Sequence, residues 1–486
     1  MENLQLLYPE IVLSVLALLI LLADVWLGGR RGRSLYGLAM VCAAVTMGFV
    51  GLCCSVPGTY QGVGTLWTVD PMSLFFKVLV LATAILVLAL TLDYKNPRDA
   101  HQGSFSALVL FSVVGMMLLV SATDFLLIFL ALELVSISSF ILVGFERGDL
   151  KSSEGAVKYF LIGAFSSAIM LYGISLFYGA TGTTSLLALR APAGPDAAMF
   201  TLGCLMTLAG FGFKVSMAPF HFWVPDAYEG APTPVTTFLS IAPKISALAV
   251  MLRVFTSLIP REAFEFTGLF TVLAILTMCI GNLTALFQTN VKRLLAYSSI
   301  AQAGYMLIGF VTGDAFGREG ILLYSLAYLV MNLGAFTVAI LVGNEGSYEL
   351  EAFDGLASRN FGLALLMTFC LLSLAGIPPL AGFIGKFYLF AAAVKGGFYT
   401  LAIFGLLNSV VSVYYYTKIA YHMFFRPART PEPVAVPVLY SGLTLTLVSI
   451  FIFLIGVYPE PFLGMAKLSA EMLPKAAPAA LLGGGR

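Results

Sequence analysis

The sequence predicts an all-α polytopic membrane protein of about 14 transmembrane helices, with two broken helices and two inverted five-helix repeats. The first observation is composition: 59% of the 486 residues are hydrophobic and only 10% are charged, whereas an ordinary soluble domain has about 25% charged residues. The second is that apolar runs of about 20 residues recur along the chain, each long enough to cross a hydrocarbon core about 30 Å thick. The third is a pair of proline-rich interruptions, each beside a lysine.

The predicted spans are apolar runs between polar segments. They cover residues 5–28, 35–55, 72–92, 104–121, 124–145, 153–180, 199–222, 234–256, 265–288, 293–312, 319–343, 361–392, 398–424 and 437–458. Because the connections are short, the longest lying near 181–198 and 344–360, no water-soluble domain is expected between them. The first run has no basic residue before it and continues past Ala23 without a cleavage pattern, so we expect a span rather than a removable signal.

Basic residues outside the spans predict the orientation, because cytoplasmic connections carry an excess of Lys and Arg. With the N-terminus outside, the inner connections hold twelve basic residues: Arg30, Arg31, Arg33, Lys95, Arg98, Arg147, Lys151, Lys292, Arg293, Arg359, Arg426 and Arg429. The outer connections then hold five: Arg190, Arg253, Arg261, Arg318 and Lys395. This excess, together with an even number of spans, predicts that both termini lie outside.

Charge and cysteine patterns exclude several classes of function. The formal net charge is +1, so overall electrostatics do not favour binding to nucleic acid or to a polyanionic substrate. The six cysteines lack the spacing of a metal site or of a disulfide framework. Because the chain also lacks an iron–sulfur cysteine set, a glycine-rich nucleotide loop and a haem signature, we expect it to hold no cofactor or metal.

Six lysines lie within predicted spans: Lys77, Lys158, Lys214, Lys244, Lys386 and Lys418. A charge at the bilayer centre costs about 2.5–3.5 kcal/mol on the lenient insertion scale, so such lysines are candidate functional residues. Lys77 and Lys418 lie within reach of helix ends, where we expect their side chains to snorkel to the interface. Lys158 follows Glu154 by one turn, which suits either an ordinary i,i+4 ion pair or a proton relay.

Glu133 and Lys214 form the first candidate constellation. Glu133 is flanked by apolar residues near the middle of its span, and Lys214 lies at a compatible depth in another span. One interpretation is a static buried salt bridge that fixes helix packing. The other is a proton-transfer pair, which is favoured because Pro219 and Pro225 follow the lysine and break its helix. Membrane proteins tolerate such breaks where the freed backbone is buried in protein or lines a wet cavity.

A second break with a lysine lies between Gly376 and Lys386. Paired breaks in corresponding positions are typical of transporter repeats. The predicted units are N-terminal helices 1–3 (residues 1–103), a first repeat of helices 4–8 (residues 104–256), an inverted repeat of helices 9–13 (residues 265–424), and helix 14 with the C-terminal tail (residues 437–486). An odd number of spans in each repeat gives the two repeats opposite orientations in the membrane.

Lys244 completes a predicted line of titratable groups. It lies next to Pro243, in the last span of the first repeat. Together with Glu133, Lys214 and Lys386, it predicts a line parallel to the membrane through its middle. Because moving a carboxylate toward or away from a buried lysine changes how firmly the lysine holds its proton, such a line is suited to proton transfer.

A specific motif carries a family resemblance. The stretch from Lys214 to Ala227 reads Lys-x-x-x-x-Pro-Phe-His-x-Trp-x-Pro-Asp-Ala, and Ala-Pro-Thr-Pro-Val follows at residues 231–235. Here, and over nearly its whole length, the chain resembles the antiporter-like membrane subunits of respiratory complex I. Among them it is most similar to the N-type subunits, since an M-type chain is expected to carry glutamate at Lys386 and an L-type chain to continue into a long lateral helix.

The resemblance implies roles for particular residues. The family's glutamate on helix 5 and its lysines on helices 7, 8 and 12 would fall on Glu133, Lys214, Lys244 and Lys386, and a further lysine on helix 6 matches Lys158. It implies a proton translocase in the bacterial inner membrane, without redox catalysis in this chain. Quinone reduction elsewhere in the complex would drive it, with NADH, flavin, iron–sulfur clusters and quinone in other subunits.

The implied partners are the other membrane subunits, including neighbouring antiporter-like subunits, and the lipid bilayer, but no nucleic acid. Two alternatives stay open from the residues alone. A subunit of a multi-subunit cation/proton antiporter would share the lysines, the glutamate and the broken helices. A purely structural membrane scaffold would explain the helices and one salt bridge, but not three buried lysines and two matching breaks.

Overall fold

The described part of the chain is almost entirely helical. A computed structural model describes residues 4–27, 32–54, 60–61, 66–94, 101–189, 192, 194, 196–258, 266–344, 346–430 and 432–471. Its helices are α1 (Tyr8–Leu27), α2 (Gly32–Cys54), α3 (Pro71–Asp93), α4 (Gln102–Ser121), α5 (Phe125–Val143), α6 (Leu150–Thr181), α7 (Asp196–Val215), α8 (Trp223–Gly230), α9 (Thr233–Leu258), α10 (Phe266–Ala285), α11 (Val291–Thr312), α12 (Ala315–Gly343), α13 (Leu356–Arg359), α14 (Phe361–Ala375), α15 (Ala381–Lys395), α16 (Tyr399–Phe425), α17 (Leu443–Val457) and α18 (Glu460–Glu471). Two short strands, β1 (Tyr60–Gln61) and β2 (Thr68–Val69), pair in antiparallel register.

Thirteen of the described helices are long and apolar enough to cross a membrane. The shorter helices α14 and α15 cover the predicted span 361–392, and both pack against α12, α16 and α17. We interpret them as the two halves of one further, broken crossing. The predicted fold class, an all-α polytopic membrane protein, is therefore confirmed, whereas the inverted relationship between the two repeats stays a prediction.

Short polar side chains set where several helices begin. Asp70 caps α3 in a capping box with Ser73, and Asp124 and Asp149 cap α5 and α6. Asn290 does the same for α11, where its side chain accepts from the backbone amides of Lys292 and Arg293. Each oxygen satisfies amides that have no partner within their helix, which is why the connections between spans can be so short.

Three helices form the centre of the bundle. The apolar segments of α9, α11 and α12 are 100%, 89% and 94% buried, against 28% for α1 and 33% for α6 and α16. The outer helices carry large apolar side chains on their exposed faces, such as Leu161 and Phe165 on α6. Polar groups buried on the central helices must therefore find their partners within the protein.

Both predicted breaks are present. After α7, Ser216 has a positive φ of 65°, and α8 begins only at Trp223. After α14, Gly376 has a φ of 92°, and a Cβ atom on it would lie 3.0 Å from Cδ of Lys386. Glycine is needed at this position because the left-handed backbone and the close lysine both exclude a side chain.

The positions of two basic residues differ from those predicted from the sequence. Lys77 does not snorkel: it is 1% exposed and forms a 2.6 Å ion pair with Glu10 of α1. Arg253 was expected in an outer connection, but it is buried within α9 and donates to both carboxylate oxygens of Asp70 at 2.8 and 3.0 Å. In both cases a carboxylate on another helix makes burial of the cation possible.

The amine of Lys418 donates to the carbonyl of Gln288 at 3.2 Å in the connection after α10, and its position at the membrane interface stays a prediction. The orientation rests partly on Arg30, Arg31, Lys95, Arg98, Arg190 and Arg261, which lie outside the described residues, as does the tail 472–486. The positions of the two termini relative to the membrane stay a prediction.

Candidate functional site

Lys214 lies in an aromatic cage in the last turn of α7. It is 5% exposed, and its amine has no hydrogen-bond partner among the described residues. The rings of Phe140, Tyr159 and Phe213 surround the amine at 5.7, 5.8 and 5.1 Å from their centroids. Aromatic faces attract a cation without binding it as tightly as a carboxylate in direct contact would.

Glu133 lies on α5, which also carries Phe140 of the cage around Lys214, but it is not hydrogen-bonded to that lysine. Its carboxylate is half-buried on α5 and accepts a hydrogen bond from Ser167 of α6. Helix α6 packs against both α5 and α7, which carry the glutamate and the lysine. The structure thus brings the two residues into one region without the direct contact of a static salt bridge.

Lys158 belongs to an ion network that joins α6 to the segment after the first break. It forms the expected i,i+4 pair with Glu154 at 2.6 Å, and a second pair with Asp226 of α8 at 2.7 Å. Asp226 also pairs with Arg293 of α11 at 2.7 Å, and Arg293 with Glu229 at 3.0 Å. Partial burial favours the neutral form of Asp226, but hydrogen bonds from Lys158 and Arg293 outweigh it and hold the pKa of this carboxyl below its ordinary value.

Lys292 is a buried lysine that the sequence analysis placed in a connection. It is the second residue of α11 and is 3% exposed. Its amine donates to the carbonyls of Glu229 and Ala231 at 2.9 and 2.6 Å, where α8 ends. The C-terminal end of a helix carries a partial negative charge, which stabilises a cation such as the Lys292 amine. The sequence contains a signal for this position of Lys292: asparagine is a favoured N-cap residue, so Asn290 starts the helix before Lys292.

Lys244 has only neutral hydrogen-bond partners among the described residues. It lies on α9, 1% exposed, and donates to the carbonyl and the hydroxyl of Ser299 on α11 at 3.1 and 2.9 Å. Lys386 is held in a similar way. Its amine donates to the carbonyl of Ala375 at 3.1 Å and to the hydroxyl of Ser409 at 3.0 Å, and lies 4.2 Å from the ring centroid of Tyr305.

A chain of neutral side chains, which the sequence did not predict, leads from Lys386 toward Lys244. Its members, in order from Lys386, are Ser409, Tyr305, Asn282, Tyr415, Tyr416 and Ser298. They lie on α10, α11 and α16, and Ser298 is the neighbour of Ser299, which accepts from Lys244. Hydroxyl groups donate and accept at once, so the serine and tyrosine members can relay a proton, whereas the amide of Asn282 accepts from Tyr415 and donates to Tyr305 and so positions the two phenols.

No hydrogen-bonded chain of described residues reaches Lys214, because its amine lacks a partner there. The structure therefore places a run of polar side chains between two of the three central lysines, ending at Ser298 beside Ser299, and surrounds the third with aromatic rings. Within the described residues, no cluster of three or more His, Cys, Asp or Glu side chains could hold a metal ion.

Comparison with known proteins gives matches over most of the chain. Residues 122–412 match a family model described as NADH:quinone oxidoreductase/Mrp antiporter, TM. The chain is 44% identical over 436 residues to NADH-quinone oxidoreductase subunit N of Trichlorobacter lovleyi, covering 88% of each chain. It is 42% identical over 481 residues to the subunit N of Moorella thermoacetica, covering 97% of this chain and 99% of that one.

Solved structures match as well. A chain of respiratory complex I from Thermus thermophilus with bound Aureothin is 34% identical, with a TM-score of 0.80 over 94% of this chain and 99% of that one. A chain of the Mrp complex from Dietzia sp. DQ12-45-1b has a TM-score of 0.81 over 97% of this chain and 98% of that one, at 19% identity. At that identity the likeness concerns the fold alone.

Proposed function

Because the chain belongs to the NADH:quinone oxidoreductase/Mrp antiporter membrane family, we propose that it is the proton-translocating N-type membrane subunit of a NADH-quinone oxidoreductase. The observation that carries the proposal is the burial of Lys214, Lys244 and Lys386 on three different crossings, none hydrogen-bonded to a carboxylate among the described residues. A scaffold gains nothing from such lysines, because each costs free energy to bury. A proton relay needs them, because a lysine with neutral partners can give up its proton.

The proton path uses this chain's own side chains. Lys214 takes up and releases a proton as the charge of Glu133 moves closer or farther away. Lys244 contacts Ser299 and Lys386 contacts Ser409, at the two ends of the polar side chains from Ser298 to Ser409, and a proton moving between the two lysines follows this region. Each serine or tyrosine hydroxyl accepts one proton and donates another, and Asn282 holds the phenols of Tyr305 and Tyr415 in position without carrying the proton itself.

Lys158 is the proposed relay nearest to the membrane surface. Its side chain is 43% exposed, and it shares Asp226 with Arg293. This network lies directly after the break that follows Lys214. Tyr159, the residue next to Lys158, is one of the rings around Lys214, so a proton that reaches Lys158 from water arrives beside the aromatic cage. The motif that includes Asp226 thus connects the surface with the buried lysine.

The remaining expectations belong to the same proposal. The chain is a translocase only as part of its complex, in contact with other membrane subunits and the lipid bilayer, and NADH, flavin, iron–sulfur clusters and quinone belong to other subunits. It lies in the bacterial inner membrane with both termini outside. Residues 104–256 and 265–424 form the inverted repeats, which is supported by a break and a lysine in each.

An antiporter subunit is the second candidate, because the fold also matches a chain of an Mrp complex. The higher identities to subunits N favour the first candidate. Affinity purification of the tagged chain separates the two: we expect subunits with flavin and iron–sulfur clusters to co-purify. A complex without them that exchanges cations for protons in the absence of NADH would contradict the proposal.

The relay itself is tested with Lys244→Arg in the purified complex, reconstituted in vesicles. Arginine keeps the charge but stays protonated, so we expect proton transfer to stop while the complex still assembles. Lys395→Arg, at the exposed end of α15, is the matched control. Full proton transfer by the Lys244→Arg complex would show that Lys244 never releases its proton.

A further inference from the structure

A groove of about 600 Å³ runs along the outer side of α16, beside α14. We call it the α16 groove. Its lining includes Thr368 of α14 and Tyr414, Thr417, Lys418, Tyr421 and Phe424 of α16. The polar atoms of these side chains are one amine, two threonine hydroxyls and two phenols. All their other atoms are carbon.

The α16 groove has the length of one leaflet. Its α16 residues recur every three to four positions, so they share one face of the helix. Tyr414 and Phe424 are ten residues apart, which is about 15 Å along a helix and half of a hydrocarbon core about 30 Å thick. Phe424 is next to the last residue of α16, so the groove runs from the membrane surface to mid-depth.

One cation lines the groove, Lys418, and a second, Arg426, lies just beyond its lining, beside Tyr421. The amine of Lys418 donates to the carbonyl of Gln288, in the connection after α10, which places the amine at the level of that connection. Arg426 follows α16, is exposed, and has its guanidinium carbon 5.6 Å from the ring centroid of Tyr421. Nearby Arg429 differs, because it pairs with the carboxylates of Glu351 and Asp354 at 2.5 and 3.4 Å.

Lys418 and Arg426 have no carboxylate partner among the described residues. A cationic end without counter-charge, joined to an apolar channel of one-leaflet length, is complementary to one kind of membrane molecule. We propose that the α16 groove binds an anionic phospholipid, with an acyl chain along Tyr414, Tyr421 and Phe424 and the phosphate between Lys418 and Arg426. Basic pockets between transmembrane helices bind anionic headgroups in this way.

The charges favour this ligand over other occupants. A zwitterionic lipid neutralises its own phosphate, and an uncharged quinone would leave both cations without a counter-charge. A transmembrane helix of another subunit would fill the apolar part but would need a carboxylate at the surface end. The experiment therefore has to separate an anionic lipid from a neutral lipid and from a protein.

The first experiment measures lipid retention by the purified complex in nanodiscs of defined anionic and zwitterionic phospholipids, using native mass spectrometry. Each cation near the surface contributes about 1 kcal/mol to anionic lipid binding, so Lys418→Gln with Arg426→Gln should weaken it about thirtyfold. Thr417→Trp fills the apolar part and should also release the lipid. Lys395→Gln is the matched control, since it removes an exposed cation at the end of α15, away from the groove.

The second experiment places a photo-reactive benzoylphenylalanine at Tyr421 in the assembled complex. We expect a covalent adduct with an anionic phospholipid, which Lys418→Gln with Arg426→Gln abolishes. An adduct with another polypeptide, equal capture of zwitterionic lipid, or unchanged lipid retention by the double variant would overturn the proposal. None of these variants touches the lysines of the proposed relay, so quinone reduction by each complex reports whether it has assembled.

Discussion

The amine of Lys386 donates a 3.1 Å hydrogen bond to the backbone carbonyl of Ala375, on the other side of the break between α14 and α15. The carbonyls at the end of a helix lack partners within it, so the break supplies a neutral acceptor for a cation at membrane depth. Gly376 favours this contact, since its φ of 92° suits glycine and a Cβ atom there would lie only 3.0 Å from Cδ of the lysine. The break thus provides the hydrogen-bond acceptor and the lysine provides the donor, which explains why both occur together.

Replacing Lys386 by alanine should abolish proton transfer while the complex still assembles. The variant removes the only amine at the end of the chain from Ser298 to Ser409, and loss of a positioned acid–base group lowers rates by about 10²–10⁴-fold. Proton uptake and quinone reduction are measured together in reconstituted complex. Lys386→Glu should recover part of the transfer because glutamate also titrates, whereas normal transport by the alanine variant would remove Lys386 from the path.

Asn282→Leu should interrupt the chain between Tyr305 and Tyr415. The amide connects the two phenols at 3.3 and 2.9 Å, and leucine has a similar size without polar atoms. We expect proton transfer to fall about tenfold, because the two phenols lose hydrogen bonds that position them, each worth about 0.5–1.5 kcal/mol.

A matched control for Asn282 is Asn332→Leu. Asn332 is also buried and also donates to the carbonyl four residues earlier, but it lies on α12, outside the chain. Its replacement should leave proton transfer within twofold of the original rate. Equal losses in both variants would mean that a buried asparagine matters for packing and not for transfer.

Helix positions and the charged site residues could be predicted because membrane burial leaves a strong signal in composition. Lysines and glutamates stand out in apolar runs, and prolines mark the breaks. Asn282 could not be predicted, because a neutral polar side chain in an apolar helix often bonds only its own helix, as Thr83 does with Leu79. Lys77 was misjudged for a related reason: depth in a span does not reveal a carboxylate on another helix.

Glu133→Gln and Lys214→Met should each stop proton transfer, and the double variant should lose little beyond either single one. The two residues lie in one region without a hydrogen bond between them, and groups that act as a unit are non-additive. Independent losses that multiply in the double variant would contradict the pair.

Ser167→Ala tests the position of the Glu133 carboxylate, since it removes the hydroxyl that donates to it. We expect a partial loss of proton transfer, about ten- to a hundredfold, in keeping with about 1.5–3 kcal/mol for one hydrogen bond to a charged group. Ser175→Ala on the same helix is the control, because that hydroxyl bonds only the carbonyl of Tyr172.

Asp226 should make the stability of the complex depend on pH in acid. Its folded-state pKa lies below the ordinary value, despite the opposing effect of burial. The stability it contributes is therefore complete above the ordinary pKa of about 3.9 and is lost as the pH falls through the lower folded value. Asp226→Asn should lower stability by about 1 kcal/mol at neutral pH, as expected for a partly exposed ion pair.

Thermal unfolding between neutral and acid pH checks this. The difference between Asp226→Asn and the original chain should shrink as the pH falls below about 4. Glu154→Gln is the control: its carboxylate also pairs with Lys158, but it is 62% exposed and should matter less. A constant difference at all pH values would mean that Asp226 acts by packing alone.

Glu10 and Lys77 should hold α1 against α3 through their buried ion pair. The pair is 2.6 Å long, and the side chains are 3% and 1% exposed. Removing one partner leaves the other charge buried without compensation, so Lys77→Met or Glu10→Leu should each lower the stability by about 3–5 kcal/mol. The double variant should be much more stable than either single one, because two apolar side chains then face each other.

Thermal unfolding of the purified complex measures these differences. Lys151→Met is the control: it breaks a pair whose lysine is 66% exposed, so it should change stability by no more than about 1 kcal/mol. Equal stability of Lys77→Met and the original chain would show that Glu10 is accommodated without its partner.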